Sequence, residues 1–415
     1  MAKQQNLMAL ISLSLLVLID AMSFGIVIPL FAPLFMDPQH SILAPNASDT
    51  MRQSMYALVF CIPLITILIG SPLLGSLSDR WGRKKVLIIG LSGVLISFML
   101  MYISIELKSL ALLMLSRALL GLSDGTQSIA QAAVVDISNP QNKAKNMSFI
   151  SAASTLGFMF GPMLGGFCSA SFLSKLFGYG APYVIANLAI LTNIALLVMS
   201  FKETGKIRHH EQKIKLTDNL KELIYAFIDK RILRYSTCFI ALQLLWSSFF
   251  EGTIMLLSKN FHYNSISIGW YTSFLSSIFT VSLMILSKQL LKILSSRQCA
   301  MAGFVLLGVG ALACTVAFNS IMGIYLVTIP ICVGVAMTYN TLLALFSDAV
   351  DEDEQGRTMG ISVALSAISW TIGSGIVALE VNHFAVIVSH IILAMIIFMG
   401  FYLLFQSKER SEYHL

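Results

Sequence analysis

The amino-acid sequence predicts an all-α polytopic membrane protein, with twelve transmembrane helices arranged as two pseudo-symmetric six-helix bundles. Three observations predict this class. Hydrophobic residues make up 56% of the 415 residues and charged residues only 12%, whereas soluble domains carry about 25% charged residues. Twelve apolar runs are each long enough to cross a bilayer, and the two halves of the chain share residues at a constant spacing.

The twelve apolar runs each have room for the roughly 20 helical residues that cross a hydrocarbon core of about 30 Å. We number them as spans one to twelve, with approximate limits 7–36, 54–77, 84–105, 110–136, 147–172, 181–201, 234–258, 266–288, 298–318, 321–347, 358–380 and 383–405. The first run continues to about Met36 and no small-residue cleavage site follows it. We therefore expect a retained span rather than a signal peptide.

Lysine and arginine residues are concentrated on one side of this arrangement. With the N-terminus inside, 22 of the 27 fall on the cytoplasmic side, Arg117 falls within the membrane, and 4 fall outside: Arg52, Lys108, Lys175 and Lys259. This asymmetry predicts that both termini are cytoplasmic. Because the net charge of +6 belongs to loops that flank the membrane, we expect no nucleic-acid partner.

The longest loop separates six spans from six. We therefore divide the chain into an N-terminal bundle (1–201), a cytoplasmic linker (202–233) and a C-terminal bundle (234–415). Apolar residues at helical spacing in the linker predict an amphipathic helix on the inner membrane surface: Leu216, Leu220, Leu223 and Phe227. We interpret His209-His210 as part of a solvated loop, and the six cysteines as packing residues because they lack metal-ligand spacing. No metal site is predicted.

The two halves look like copies of one another. At a constant shift of 212 residues, four pairs coincide: Asp136 with Asp348, Lys145 with Arg357, Met147 with Met359, and Gly161 with Gly373. A duplicated six-span unit is the architecture in which substrate binds between the halves at mid-membrane, while the halves move to alternate access.

A short basic segment connects spans two and three and reads Gly-Ser-Leu-Ser-Asp-Arg-Trp-Gly-Arg-Lys-Lys over residues 75–85. Gly82 allows a tight turn, Gly75 allows close helix approach, and Asp79 can face the positive end of a helix. A plain positive-inside loop would explain the cations but not the aspartate or the glycine spacing. This signature loop resembles the loop between spans two and three of the major facilitator superfamily, which implies the fold of that family.

The resemblance also implies that the signature loop takes part in conformational gating. The gating residues of the loop are Gly75, Asp79, Arg80, Gly82 and Arg83. Arg83 is expected to pair with Asp136, and Asp79 is expected to lie near Arg357 and Thr358 at the start of span eleven. Residues 18–29 in span one, 117–121 in span four and 157–166 in span five resemble the twelve-span drug/proton antiporters, most closely the tetracycline/proton branch. Spans three and nine lack the aspartate that tetracycline exporters carry in each, which argues against a metal-chelated tetracycline as the substrate.

Span five carries a glycine stripe in which Gly157, Gly161 and Gly165 recur every four residues, with Gly166 beside it. Such a stripe allows close helix packing, and Pro162 bends the helix because it removes a backbone hydrogen bond. The resemblance adds that this helix lies at the interface between the halves.

Four ionisable residues stand out within the spans, where a charge at mid-bilayer costs at least about 2.5–3.5 kcal/mol: Asp20, Arg117, Asp124 and Glu251. The resemblance places spans one, four, seven and ten around the central cavity. Helical steps of three and four predict one polar face in span four and one in span seven; they comprise Arg117, Gly121, Asp124, Ser128 and Gln131, and Gln243, Ser247 and Glu251. The alternative for each charge is a structural ion pair. We interpret the acidic segment 351–354 as a solvated turn, with a gate as the alternative. We interpret His383 and His390 as peripheral residues of span twelve, with proton shuttling as the alternative.

These features predict a proton-coupled exporter of a small amphipathic or apolar compound, with Asp20 as the leading proton-coupling group and Arg117 near it. We expect a monomer in the bacterial inner membrane that uses the proton gradient and no cofactor. The alternative in the same class is a proton symporter that imports a nutrient or an iron carrier. At the same shift of 212 the signature loop corresponds to residues 287–297, which keep cations but lack the Asp-Arg and Gly-Arg pairs, and a receptor would not need such a duplicated gating loop. The sequence also lacks the HExxH, GxSxG and P-loop motifs of enzymes and ATPases.

Overall fold

The computed structural model describes residues 2–37, 41–138, 142–170, 180–203, 226–351, 355–380 and 383–411. The described residues form helices joined by short turns. In chain order the helices are α1 (Ala2–Met36), α2 (Asp49–Trp81), α3 (Arg83–Glu106), α4 (Leu110–Ser123), α5 (Thr126–Ile137), α6 (Lys143–Ala170), α7 (Ala181–Ser200), α8 (Leu233–Phe261), α9 (Ser265–Val281), α10 (Ser287–Leu290), α11 (Ser296–Ala317), α12 (Ile321–Asp348), α13 (Gln355–Leu379) and α14 (His383–Ser411). A π-helical turn, Ser282–Leu286, joins α9 to α10.

The predicted class is confirmed: in the described part of the chain, eleven helical segments are long and apolar enough to cross a membrane. The fourth predicted span is absent from these eleven because it consists of two pieces. Its helices α4 and α5 have 14 and 12 residues, and a single crossing needs about 20.

Serine caps define several helix starts. The Ser109 hydroxyl accepts a hydrogen bond from the Leu112 amide at the start of α4, and Ser320 does the same for Gly323 at the start of α12. At α11, Ser295 and Gln298 form a reciprocal capping box. Each cap satisfies amide groups that would otherwise have no partner in the first turn.

The first compact unit comprises residues 1–47, 62–214 and 262–273. Its centre is the packing of α1 on α6, where small residues bring the two backbones together. A methyl group added to Gly161 would lie 2.6 Å from the carbonyl oxygen of Met22, and one on Gly25 would lie 2.8 Å from Pro162 Cδ. Close backbone packing of this kind requires glycine at the contact.

The second compact unit comprises residues 48–61, 215–261 and 274–415. Its centre is α8, most of whose membrane-spanning residues are buried. Around α8 the rings of Phe239 and Phe346 meet edge to face with centroids 6.2 Å apart, and Tyr339 lies 5.8 Å from Phe239. Such aromatic contacts stabilise a core beyond the area they bury.

Two segments group differently from the sequence-based division into 1–201 and 234–415. Residues 48–61, at the start of α2, belong to the second unit, where the Tyr56 hydroxyl donates a hydrogen bond to the carbonyl of Glu251. Residues 262–273 belong to the first unit, where Gly269 lies against Gly166. The predicted linker helix (216–227) and His209-His210 lie almost wholly outside the described residues.

Candidate functional site

Span four is interrupted in its middle. Helix α4 ends at Ser123, Asp124 has an extended backbone (φ −83°, ψ 108°), and α5 begins again at Thr126. Glycines on the neighbouring helices make room for this break. A methyl group on Gly70 of α2 would lie 2.6 Å from the carbonyl oxygen of Gly121, and one on Gly93 of α3 would overlap the Ser123 side chain. Non-helical backbone is tolerated within a membrane protein where it is packed by protein in this way.

Asp20 lies beside this break. The Thr126 hydroxyl donates a hydrogen bond of 2.7 Å to Asp20 Oδ2. Because Thr126 is the first residue of α5, the Asp20 carboxyl group lies at a helix N-terminus, where partial positive charge stabilises an anion. Asp124 interacts electrostatically with Asp20, so the structure brings together two of the four predicted intramembrane charges.

Arg117, on α4, contacts span one at a different level from Asp20. Its guanidinium carbon is 4.8 Å from the centroid of the Phe31 ring, and Phe31 is about three helical turns beyond Asp20 on α1. The side chain is only 2% exposed, and Arg117 also interacts electrostatically with Tyr183. Two of the contacts of Arg117 are thus with aromatic residues, one on α1 and one on α7.

The single polar face predicted for span four is wrong. The prediction assumed one continuous helix, but the break at Asp124 separates Arg117 and Gly121 on α4 from Ser128 and Gln131 on α5. Ser128 is exposed and Gln131 half-buried. The Asp124-Gly125 pair was the missed signal, because an Asp-Gly dipeptide marks a turn even inside an apolar run.

Span seven holds its polar residues against α13. The Gln243 side chain donates to Ser366 Oγ at 2.8 Å, and Ser374 Oγ donates to Glu251 Oε1 at 2.8 Å. Glu251 is fully buried. This carboxyl group therefore lies in the second unit, whereas Asp20 and Asp124 lie in the first.

The signature loop turns at Gly82, whose φ of 96° is strained for any other residue. Arg83 follows and makes several polar contacts. Its guanidinium group lies 2.8 Å from Asp79 Oδ1, 3.3 Å from Asp136 Oδ2 and 3.0 Å from Ser78 Oγ. The expected contact between Arg83 and Asp136 is therefore present. Of the remaining loop residues, Arg80 is exposed, and a methyl group on Gly75 would meet nothing within 4 Å.

Sequence reasoning missed Glu203, the residue that completes the signature loop. Its carboxylate accepts hydrogen bonds from the backbone amides of Arg83 at 2.7 Å and Lys84 at 3.1 Å. These amides belong to the first turn of α3, where they have no helical partner. A methyl group on Gly82 would lie 2.5 Å from Glu203 Cδ, so the glycine also makes room for this carboxylate. Glu203 lies in the predicted linker (202–233), where no motif distinguishes it.

The glycine stripe of span five packs against span one. Methyl groups on Gly157 and Gly161 would lie 2.5 Å and 2.6 Å from the carbonyl oxygens of Leu18 and Met22, and one on Gly165 would overlap the carbonyl of Ile26. Pro162 lies within α6 between these contacts. Gly166 faces a different helix, since a methyl group there would lie 3.0 Å from the Ser265 carbonyl oxygen.

Several predicted residues lie outside the described part of the structure: the side chains of Arg357 and His383, and residues 352–354. All six cysteines are free and buried, as expected of packing residues.

Membrane-crossing helices, buried carboxyl groups and a broken span define the class of the protein as an integral membrane transporter. The chain belongs to the Major Facilitator Superfamily, whose family profile matches residues 13–374. It is therefore a member of a family of transporters, not an enzyme.

Curated relatives and solved structures agree with this family. The chain is 24% identical over 363 residues to the class C tetracycline resistance protein of Escherichia coli, covering 87% of this chain and 86% of that protein. It is 29% identical over 211 residues to multidrug resistance protein 2 of Bacillus subtilis, covering 49% and 48%. The crystal structure of the human organic anion transporter MFSD10 (TETRAN) matches with a TM-score of 0.70 and 17% identity, covering 96% of this chain and 99% of that one.

Proposed function

We propose that this transporter exports a small amphipathic or apolar compound in exchange for protons. The observation that carries the proposal is the position of Asp20 at the break in span four, hydrogen-bonded to Thr126 and electrostatically coupled to Asp124. Discontinuous helices near the bilayer midplane commonly form the substrate and coupling-ion sites of secondary transporters.

This arrangement suits a proton that is bound and released. When Asp20 is charged, the Thr126 hydroxyl and the N-terminus of α5 stabilise it. When Asp20 is neutral, its carboxyl group can still hydrogen-bond to Thr126, because a hydroxyl group both donates and accepts. Asp20 and Asp124 repel each other when both are charged, and one bound proton removes that repulsion. Both protonation states are thus accommodated without moving the backbone.

Two observations support export and a neutral or cationic substrate. The relatives named above confer tetracycline or multidrug resistance according to their names, which favours export of a foreign compound. Two carboxyl groups at the broken span favour a neutral or cationic substrate over an anion. The human structural relative is described as an organic anion transporter, so competition by organic anions is a sharp test of this charge preference.

The signature loop is proposed to gate access on the cytoplasmic side. Arg83 links the start of α3 to Asp136 at the end of α5, and Asp79 joins the same cluster. These contacts tie together the ends of spans two, three and four, so that the three helices move as one body. We further propose that the protein acts as a monomer in a bacterial inner membrane, with both termini in the cytoplasm.

The test is transport in proteoliposomes with an imposed proton gradient. Ethidium, an amphipathic cation, serves as the fluorescent probe, and a pH dye inside the vesicles reports proton movement. We expect ethidium and protons to move in opposite directions. Asp20→Asn should abolish gradient-driven ethidium movement but retain ethidium exchange across the membrane without a gradient.

The matched control is Asp49→Asn, the same substitution at an exposed carboxylate 3.0 Å from Lys259, which should transport like the wild type. Gradient-driven transport by Asp20→Asn at the wild-type rate would refute Asp20 as the coupling group. Movement of ethidium in the same direction as protons would favour the symporter alternative. Displacement of ethidium by organic anions better than by organic cations would overturn the proposed charge preference.

A further inference from the structure

A buried carboxyl–imidazole pair lies in the second unit. Glu380 directly follows the last residue of α13, and His390 lies on α14. Their side chains are 3% and 1% exposed, and His390 Nδ1 is 3.9 Å from Glu380 Oε1. His390 is therefore buried, contrary to the peripheral position expected for span twelve. Two titratable groups buried this close together require a proton arrangement that keeps their charges compensated.

Ser389 connects the pair. Its hydroxyl oxygen lies within hydrogen-bond distance of Glu380 Oε1, and 2.8 Å from the carbonyl oxygen of Val386. A hydroxyl group donates only one hydrogen bond, so it cannot donate to both oxygens at once. When Glu380 is protonated, its carboxyl group donates to Ser389, which donates to Val386. When Glu380 is ionised, Ser389 donates to the carboxylate instead. The geometry therefore accommodates both states of Glu380.

The imidazole is also arranged to take up a proton. His390 Nδ1 lies 2.9 Å from the Val386 carbonyl oxygen, and because a carbonyl only accepts, Nδ1 must carry hydrogen. In neutral His390, Nε2 is then the unprotonated nitrogen. Among the described residues, Nε2 is buried without a hydrogen-bond partner. The ring also meets Phe318 edge to face, with centroids 5.0 Å apart. Protonation at Nε2 would create a cation beside the Glu380 carboxylate.

Neighbouring helices leave space for the carboxyl group and bring other titratable residues to the same unit. A methyl group on Gly252 of α8 would lie 3.2 Å from Glu380 Oε2. The Gln53 side chain on α2 donates to the Glu380 backbone carbonyl at 3.4 Å. Cys314 on α11 interacts electrostatically with Glu380. The helices that pack around the pair also carry Glu251 on α8, and Tyr56 and the buried Arg52 on α2.

We propose that Glu380, Ser389 and His390 form a second proton-binding site, in the C-terminal half of the transporter. Its ligand is a proton, held either on the Glu380 carboxyl group or on His390 Nε2 with Ser389 redirecting its hydrogen bond. The site's part in transport rests on the proposed proton coupling, but its proton binding does not depend on Asp20. Since the Gln53 side chain donates a hydrogen bond to the Glu380 carbonyl, the site lies beside the start of α2, which belongs to the second unit.

The experiment is pH-difference infrared spectroscopy of the reconstituted full-length protein between about pH 5 and pH 8, the range over which histidine and perturbed carboxyl groups titrate. The readout is the carbonyl stretching band of a protonated carboxyl group shielded from water. We expect Glu380→Gln to remove one component of this band. Ser389→Ala should shift that component in frequency without removing it, because the carboxyl group loses a hydrogen bond. His390→Gln should move the pH at which it titrates.

Two controls separate this proposal from the proposed function. Asp20→Asn should leave the Glu380 component in place even where gradient-driven transport is lost, and Glu106→Gln, at the exposed end of α3, should leave the shielded band unchanged. A Glu380→Gln spectrum identical to that of the wild type would overturn the proposal. So would a Glu380 component that Ser389→Ala and His390→Gln both leave unaltered, because the three residues would then not act together.

Discussion

Replacing Glu203 with alanine should loosen the signature loop at two identifiable amides. The carboxylate accepts from the backbone N–H groups of Arg83 and Lys84 at 2.7 Å and 3.1 Å. Loss of a helix cap costs about 1 kcal/mol, within a range of about 0.5–2 kcal/mol. Because Glu203 is exposed, we use the middle of that range. A change of about 1 kcal/mol corresponds to an equilibrium shift of about fivefold.

Hydrogen exchange measured by mass spectrometry on the detergent-solubilised protein checks this value. In Glu203→Ala, the amides of Arg83 and Lys84 should exchange about fivefold faster, provided that exchange follows local opening. Glu203→Gln keeps an acceptor oxygen but loses the charge, so the exchange rates of both amides should lie between those of Glu203→Ala and the wild type. Glu106→Ala, at the other end of α3, is the matched control and should leave both amides unchanged. Equal protection in Glu203→Ala and the wild type would refute the reasoning.

Two further predictions concern helix packing and gating. Gly165→Ala would place a methyl group against the Ile26 carbonyl and should lower the unfolding temperature in detergent, since overpacking costs about 1–3 kcal/mol. The control is Gly375→Ala, whose added methyl group meets nothing within 4 Å and which should be neutral or stabilising. Equal unfolding temperatures for the two variants would contradict the predicted clash at Gly165. Asp79→Asn removes the charge that the family resemblance places beside the N-terminus of span eleven in the outward-open state, a contact worth about 0.3–1 kcal/mol, and should shift the protein up to about fivefold toward the inward-open state. Labelling of engineered cysteines at the two cavity mouths measures this shift, and unchanged labelling alongside reduced transport would show that the loop acts in another way.

Hydropathy and motifs predicted most of the fold, because both depend on local sequence. The helices that cross the membrane follow from apolar runs whose length the bilayer fixes. The contact between Arg83 and Asp136 was expected from the family resemblance, since neither spacing nor composition connects two residues so far apart in the chain. The glycine stripe of span five predicted close packing, and the structure identifies α1 as its partner.

The details that sequence reasoning missed depend on tertiary packing. Span four looked continuous because its polar residues recur at helical spacing across Asp124. The interruption is accommodated by glycines on the facing surfaces of α2 and α3, which the sequence of span four does not reveal. Glu203 and Glu380 gave no periodic signal. Each acts through a partner that is distant in sequence or beyond a chain turn, namely the start of α3 and the Ser389–His390 pair on α14.

The broken fourth span also bears on how the nascent chain enters the membrane. Neither α4 nor α5 is long enough to cross alone, and together they carry Arg117 and Asp124 into a region where charged residues insert poorly. Groups that contact this span belong to earlier spans. On α1, Phe31 lies against Arg117 and Asp20 accepts a hydrogen bond from Thr126; on α3, the Ser97 hydroxyl donates to the Ser116 carbonyl at 2.7 Å. We therefore expect span four to enter the bilayer by packing against spans one to three rather than by its own hydrophobicity. Its correct topology would then require that spans one to three are synthesised first.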